Sequence, residues 1–385
     1  MNKYVLVPFV LVLISCSSNN GSDENSTADI DFSYSIDTVM VDPGDHFFFL
    51  NWGLGIADIT EDGKLLYNLN PQTLLLEVVD LDALTLKETI QLEKEGPNGV
   101  GGGFISRLQV IGNGNLMLFD FNRIVEISPK GELLKKYEFD PTTLTGYAFG
   151  ETDKVSYMGT FSPDGKIYIG QMEDEDFKSP AKGLAVITIE NMEVKFVPTD
   201  AISKLDEFRI MLEMKTEGGT SSMSMGESAY MKFIEGQLVL SNTAMNEIFL
   251  YDVTTDSLIH KTYAANLTGN ERIKNFPSQV DTREALFAAS KEKMKQVRFG
   301  PMYHQKEESL IWRFSSDMDR MIADSVVTKD VVTLFDTDYN MLTEQTLENF
   351  TNSNSRFFKD GMLYSFINID DEMAFVRLKP TFDDE

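Results

Sequence analysis

The sequence predicts an all-β protein, a six-bladed β-propeller of four-stranded antiparallel blades with two short helical insertions on one face. Three observations carry that expectation. Short apolar runs alternate with tight-turn signals along most of the chain. A unit of strand, two-residue turn ending in glycine, and second strand recurs, with turn glycines at Gly63, Gly114, Gly165, Gly236 and Gly361 and a degenerate copy near Glu307-Glu308. Six such units at a spacing of roughly 50 residues or more have the period of propeller blades.

Residues 1–15 read as a targeting segment. Lys3 supplies a positive start, and residues 5–14 form an uncharged apolar run. That run is too short for a bilayer span, which needs ~20 apolar residues, and suits a signal peptide. Leu13-Ile14-Ser15-Cys16 resembles the lipobox of bacterial lipoproteins, and Cys16 is the chain's sole cysteine. Cys16 is therefore the expected lipid attachment point, where acyl chains such as palmitate would hold the protein on a membrane. Residues 16–29 are small and polar, as expected of a flexible lipidated tether. The propeller domain is expected over 30–385.

The blades follow in order. The first is announced by 56–60, Asp62-Gly63 and 64–68. In the second, 105–111, Asn113-Gly114 and 116–119 precede 123–127, the turn Ser128-Pro129-Lys130-Gly131, and 133–139. The third turns at Asp164-Gly165; the fourth turns at Glu235-Gly236 and continues through 247–253 and 257–263. The fifth leads into 310–314. The sixth turns at Asp360-Gly361, and only 373–378 follows its second strand. Residues 32–41 have no unit of their own, so they are expected to complete that blade and close the ring.

Extra length is distributed unevenly. Turns between first and second strands, and between third and fourth, are short throughout. The insertions (96–103, 140–153, 172–183, 200–228, 266–296 and 315–329) fall in the other connections, so they should gather on one face at the channel mouth. Asp281-Thr282-Arg283-Glu284 has the form of a capping box, with Asp281 as the cap and Leu286, Phe287, Met294 and Val297 near one stripe of a helix. Ile202, Leu205, Phe208, Met211 and Leu212 suggest a second amphipathic helix. Residues 218–225 are expected to be a loop.

Gly96-Pro97-Asn98-Gly99, Ser162-Pro163-Asp164-Gly165-Lys166 and Ile248-Phe249-Leu250-Tyr251-Asp252, taken with the lipobox, resemble segments of the six-bladed propeller lipoproteins of Bacteroidota. These are TolB-like propellers classed as a domain of unknown function. The resemblance covers roughly residues 30 to 380. It implies a fold and an envelope location, and no established activity. Ser17 after Cys16 resembles outer-membrane sorting in Gram-negative bacteria, on either leaflet.

Chemistry is sparse. With 61 acidic against 34 basic residues, the net charge of −27 argues against nucleic-acid binding. HExxH, GxSxG and Walker sequences are absent, and no metal or cofactor is expected. Against the acidic background, Arg107, Arg298 and Arg356 are expected to begin inner strands of three blades, with Lys232 doing so in a fourth. Together they would form a positive funnel for an anionic ligand. Trp52, near the first inner strand, could stack on a sugar ring or pack between blades. The preferred reading is non-catalytic binding of a partner or an anionic or glycan ligand by the long-loop face. Two alternatives stand beside it: a carbohydrate lyase or hydrolase using carboxylates and arginines, and a structural subunit of an outer-membrane complex.

Overall fold

The computed structural model describes residues 32–382 apart from 102, 176–178, 217–218, 324, 349, 351–352 and 354. The signal segment, Cys16 and the tether lie outside the described residues. Six antiparallel sheets carry the fold, five of them four-stranded and the third five-stranded because its inner edge is split into two short strands. In chain order their inner strands are Ala57–Ile59, Arg107–Val110, Thr160–Phe161 with Asp153–Val155, Ala229–Ile234, Arg298–Gln305 and Arg356–Lys359. The expected turn glycines lie between first and second strands at positive φ, from 68° at Gly63 to 86° at Gly114, where a Cβ would clash. In the fifth sheet Ser309 takes that conformation instead, with φ 53°, which explains why this copy looked degenerate.

Successive residues of a strand face opposite sides of its sheet. Leu66 packs back against the sixth sheet, through Tyr364 and Phe375. Its neighbour Tyr67 packs forward against Leu118 and Val125 of the second. The same alternation gives apolar layers between sheets two and three, three and four, four and five, and five and six. Six sheets separated by six layers, the last shared with the first, form a closed six-bladed propeller. Polar contacts reinforce the joints: Gln109 Nε2 donates to the Phe161 carbonyl at 2.9 Å and its Oε1 accepts from the Phe161 amide at 3.0 Å.

Closure uses both ends of the domain. Phe32–Met40 is the outermost strand of the sixth blade, paired antiparallel with Glu372–Phe382 from Phe32↔Phe382 to Met40↔Ala374. Directly opposed Asp37 and Arg377 form a bidentate pair at 2.8 and 2.5 Å. This expected strand therefore has the expected place.

The connectivity of an antiparallel meander places all six insertions on one face, and several touch. Ile210–Thr216 pairs with Gly219–Met225 and, in parallel, with Gln279–Val280. The helix Arg283–Lys293 buries Leu286 and Ala289 against Ile210 and Leu212. These elements form a small cap.

Details differ from the sequence reading. The helix cap is Thr282, which accepts from the Ala285 amide at 3.1 Å, and not Asp281. The second helix shrinks to a 3-10 turn, Ser203–Phe208; Ile210 and Leu212 then bury on one face of a strand, since alternate positions suit a strand as well. Gly219–Met225 is a strand rather than a loop, drawn into pairing by Ile210–Thr216. Residues 315–329 belong to a hairpin, Leu310–Ile322 with Ser325–Phe335, that extends past its neighbours. Among the described residues no helix is long and apolar enough to cross a membrane.

Candidate functional site

Inner strands enter from the long-loop face, so their first residues ring that mouth of the channel. Arg107, Arg298 and Arg356 are each the first residue of an inner strand, as the sequence suggested. Lys232 is not: it is fourth in Ala229–Ile234, deeper in the channel, and Tyr230 occupies the position nearer the rim.

A pocket of about 190 Å³ opens among the fourth, fifth and sixth blades, walled by Tyr230, Arg298, Tyr303, Ser316, Ser353 and Arg356. Its floor is made by a β-bulge between Phe299 and Met302. There Gly300 brings its backbone against the Phe314 carbonyl, which a Cβ would meet at 2.6 Å. Pro301, lacking an amide, tolerates the lost ladder bond. This bulge leaves a gap where regular strand side chains would stand.

The charges around the mouth are unequal. No described carboxylate forms an ion pair with Arg107, Lys232 or Arg298. Arg356 lies 4.4 Å over the Phe314 ring, and burial holds its guanidinium below the usual arginine range despite Tyr303 and Asp330 nearby. Arg107 lies 3.8 Å over Phe119 and donates to the Gly159 carbonyl. Burial lowers its pKa too, against opposing pulls from Tyr168 and Asp58. Water reaches Lys232, yet protein surrounds it, so desolvation lowers its ammonium pKa with Asp58 partly opposing. Tyr303, beneath Lys232 at 5.2 Å, is pushed up to about 12 by burial. Arg272 adds a further cation near Arg298, partly neutralised by Glu227.

Asp58, from the first blade, faces Lys232 and Arg107. It accepts from the Val110 amide at 2.9 Å and from its own neighbour Ile59. Desolvation still outweighs those bonds and the nearby Lys232 and Arg107, raising its pKa. A carboxyl raised in the folded state contributes stability at low pH that is lost as pH rises through the folded-state value. Asp58→Asn should therefore flatten the fall in unfolding free energy that sets in as pH rises above about 4, the ordinary aspartate value, measured by urea denaturation. A steeper fall in the variant would reverse the assignment.

Trp52 does not join this pocket. It sits in the short strand Asn51–Leu54, exposed, against Phe49 and Phe104 on the opposite side of the rim. Sequence reasoning missed Tyr230, Ser316 and Ser353, whose roles depend on the bulge and the extended hairpin. In the acidic run at 173–176, Glu173 pairs with Lys154 and Asp174 with Lys182, while Asp176 lies outside the described residues. Among the described residues no group of three His, Cys, Asp or Glu could hold a metal ion.

Comparison with known proteins agrees on the fold. The chain is similar to the crystal structure of a DUF4221 family member from Bacteroides vulgatus, at 14% identity and a TM-score of 0.64, over 93% of this chain and 100% of that one. It is also similar to a putative exported protein from Bacteroides fragilis, at 8% identity and a TM-score of 0.50, over 94% and 98% of the two chains. No curated protein matches the sequence. A family model described as "Domain of unknown function (DUF4221)" matches residues 29–346, and the chain belongs to that family.

Proposed function

We propose that this protein is a lipid-anchored envelope propeller, attached through Cys16, that binds an oxyanion-bearing ligand at the long-loop mouth of its channel without making or breaking bonds. One observation carries the reading. In a chain of net charge −27, Arg107, Arg298 and Arg356 begin inner strands at one mouth and Lys232 lies deeper in the channel, and Arg107, Lys232 and Arg298 have no described carboxylate in ion-pair range. Desolvated cations with no carboxylate in direct contact are costly, and an incoming carboxylate, sulfate or phosphate would relieve that cost. The hydroxyl-bearing walls, Tyr230, Ser316 and Ser353, would supply additional donors.

The test is calorimetric titration of the intact protein with inorganic sulfate, inorganic phosphate, glucuronate and galacturonate. Saturable binding of at least one is expected, weakening as salt rises. Arg298→Glu should reduce that affinity by roughly 10- to 100-fold, the value of a lost charge-assisted contact. Binding unchanged by the reversal, or no binding to any of the four, sinks the proposal.

A further inference from the structure

A second surface on the same face is built from other residues and independently of the pocket. Trp52, Phe104 and Phe121 are 43%, 51% and 60% exposed. They form a continuous series, with Trp52 5.6 Å from Phe104 and Phe104 6.1 Å from Phe121, the last two nearly parallel at 17°. Buried Phe49 closes the row at 5.6 Å from Trp52. The three exposed rings come from three separate connections: the entry to the first blade, the first-to-second blade crossing, and the turn at 120–123.

These rings are held, not loose. Buried Glu77 accepts from the Phe49 amide at 3.0 Å and Asn68 Nδ2 at 2.7 Å, and sits 2.7 Å from His46 Nε2, fixing the segment that carries Trp52. Asn68 also donates to the Phe49 carbonyl at 3.0 Å. On the other side, the glycine-rich crossing lies directly on the Asp120–Arg123 pair. A Cβ at Gly101 would fall inside the Arg123 guanidinium, and one at Gly103 inside the Asp120 carboxylate. Only glycine permits that approach, which accounts for a glycine-dense segment that precedes no phosphate-binding helix.

Asp120 and Arg123 flank Phe121 and are underused. Their ion pair is long, at 3.7 Å, and the side chains retain 12% and 25% exposure. Arg123 Nε is buried without a hydrogen-bond partner. A pre-positioned row of ring faces beside a part-exposed guanidinium and carboxylate matches a sugar's apolar C–H face and its rim of hydroxyls. The platform's own charges cancel, so it favours an uncharged sugar over the oxyanions suited to the pocket. Protein hot spots also use aromatics, but they sit in well-packed pockets that exclude water, whereas these rings lie open.

We infer that Trp52, Phe104 and Phe121, with Asp120 and Arg123, form a carbohydrate-binding platform for neutral pyranose oligosaccharides. The protein carries its own reporter, since Trp52 is exposed and Trp312, the other tryptophan, is fully buried. Acrylamide quenching of the intact chain should therefore read Trp52 alone. Cellohexaose, xylohexaose, mannohexaose and chitohexaose are titrated in turn. At least one should protect Trp52 saturably, at millimolar concentration or below. Phe104→Ala and Asp120→Asn should each weaken that protection at least tenfold, with unchanged Trp312 emission showing an intact ring. Arg298→Glu should leave it unchanged, which separates this surface from the anion pocket. Protection by none of the four, protection indifferent to both variants, or protection only by an apolar peptide overturns the inference.

Discussion

Deleting residues 32–40 is expected to abolish cooperative folding of the ring. This strand supplies the complete outer edge of the sixth blade, with Phe32 buried and Tyr34, Ile36 and Val39 covering the two adjoining apolar layers. A fully buried side chain of this size contributes ~1.5–3 kcal/mol. Several such losses approach the ~5–15 kcal/mol that separates folded from unfolded proteins. The deletion also frees the backbone of Glu372–Phe382, leaving a long unpaired edge prone to aggregation. Thermal denaturation by circular dichroism, with size-exclusion chromatography, should show a lost or strongly depressed transition and aggregated material. Adding the 32–40 peptide in trans should restore part of the signal. A truncated chain that melts like the intact one would refute the closure.

Glu227→Ala should have the next largest effect, a loss of about 3–5 kcal/mol. The Glu227 carboxylate, 4% exposed, faces two buried cations: Lys293 Nζ at 2.6 Å and Arg272 Nη1 at 3.4 Å. Thr243 Oγ1 donates to it at 2.5 Å. Lys293 also donates to the Phe208 carbonyl at 2.8 Å, so this cluster joins the 3-10 turn, the helix end and the fourth blade. Removing the single anion strands two desolvated charges. Urea denaturation should report the loss, and limited proteolysis should show faster cleavage within 200–228 and 266–296. A loss below about 1 kcal/mol would mean that the cations find other partners or water.

The ring was legible because its signals are local. Asn113-Gly114 or Asp164-Gly165 announces a hairpin from a handful of residues, and the leftover strand 32–41 could be placed by counting what the sixth blade lacked. The cap was less legible because its pairings are not local. Ile210–Thr216 takes Gln279–Val280 as a parallel partner across a whole blade of intervening sequence. Gly219–Met225 is exposed along almost its whole length and has no apolar alternation to betray a strand. Ile202, Leu205 and Phe208 repeat every third residue, which a 3-10 turn satisfies as readily as a longer helix. In the site, Arg107, Arg298 and Arg356 could be found by position, whereas the bulge at Gly300-Pro301 depends on a register shift that spacing does not reveal. Phe104 and Phe121 carried no motif. Only folding places them beside Trp52.

The direction of the closing strand has a consequence for how the body would hang. Phe32 and Phe382 are register partners at the rim of short turns, and the chain then runs through Met40 toward the opposite rim. Phe32 therefore stands at the plain underside, so a body held from residues before it would present the basic mouth and the aromatic row on the far side, where large ligands have open access.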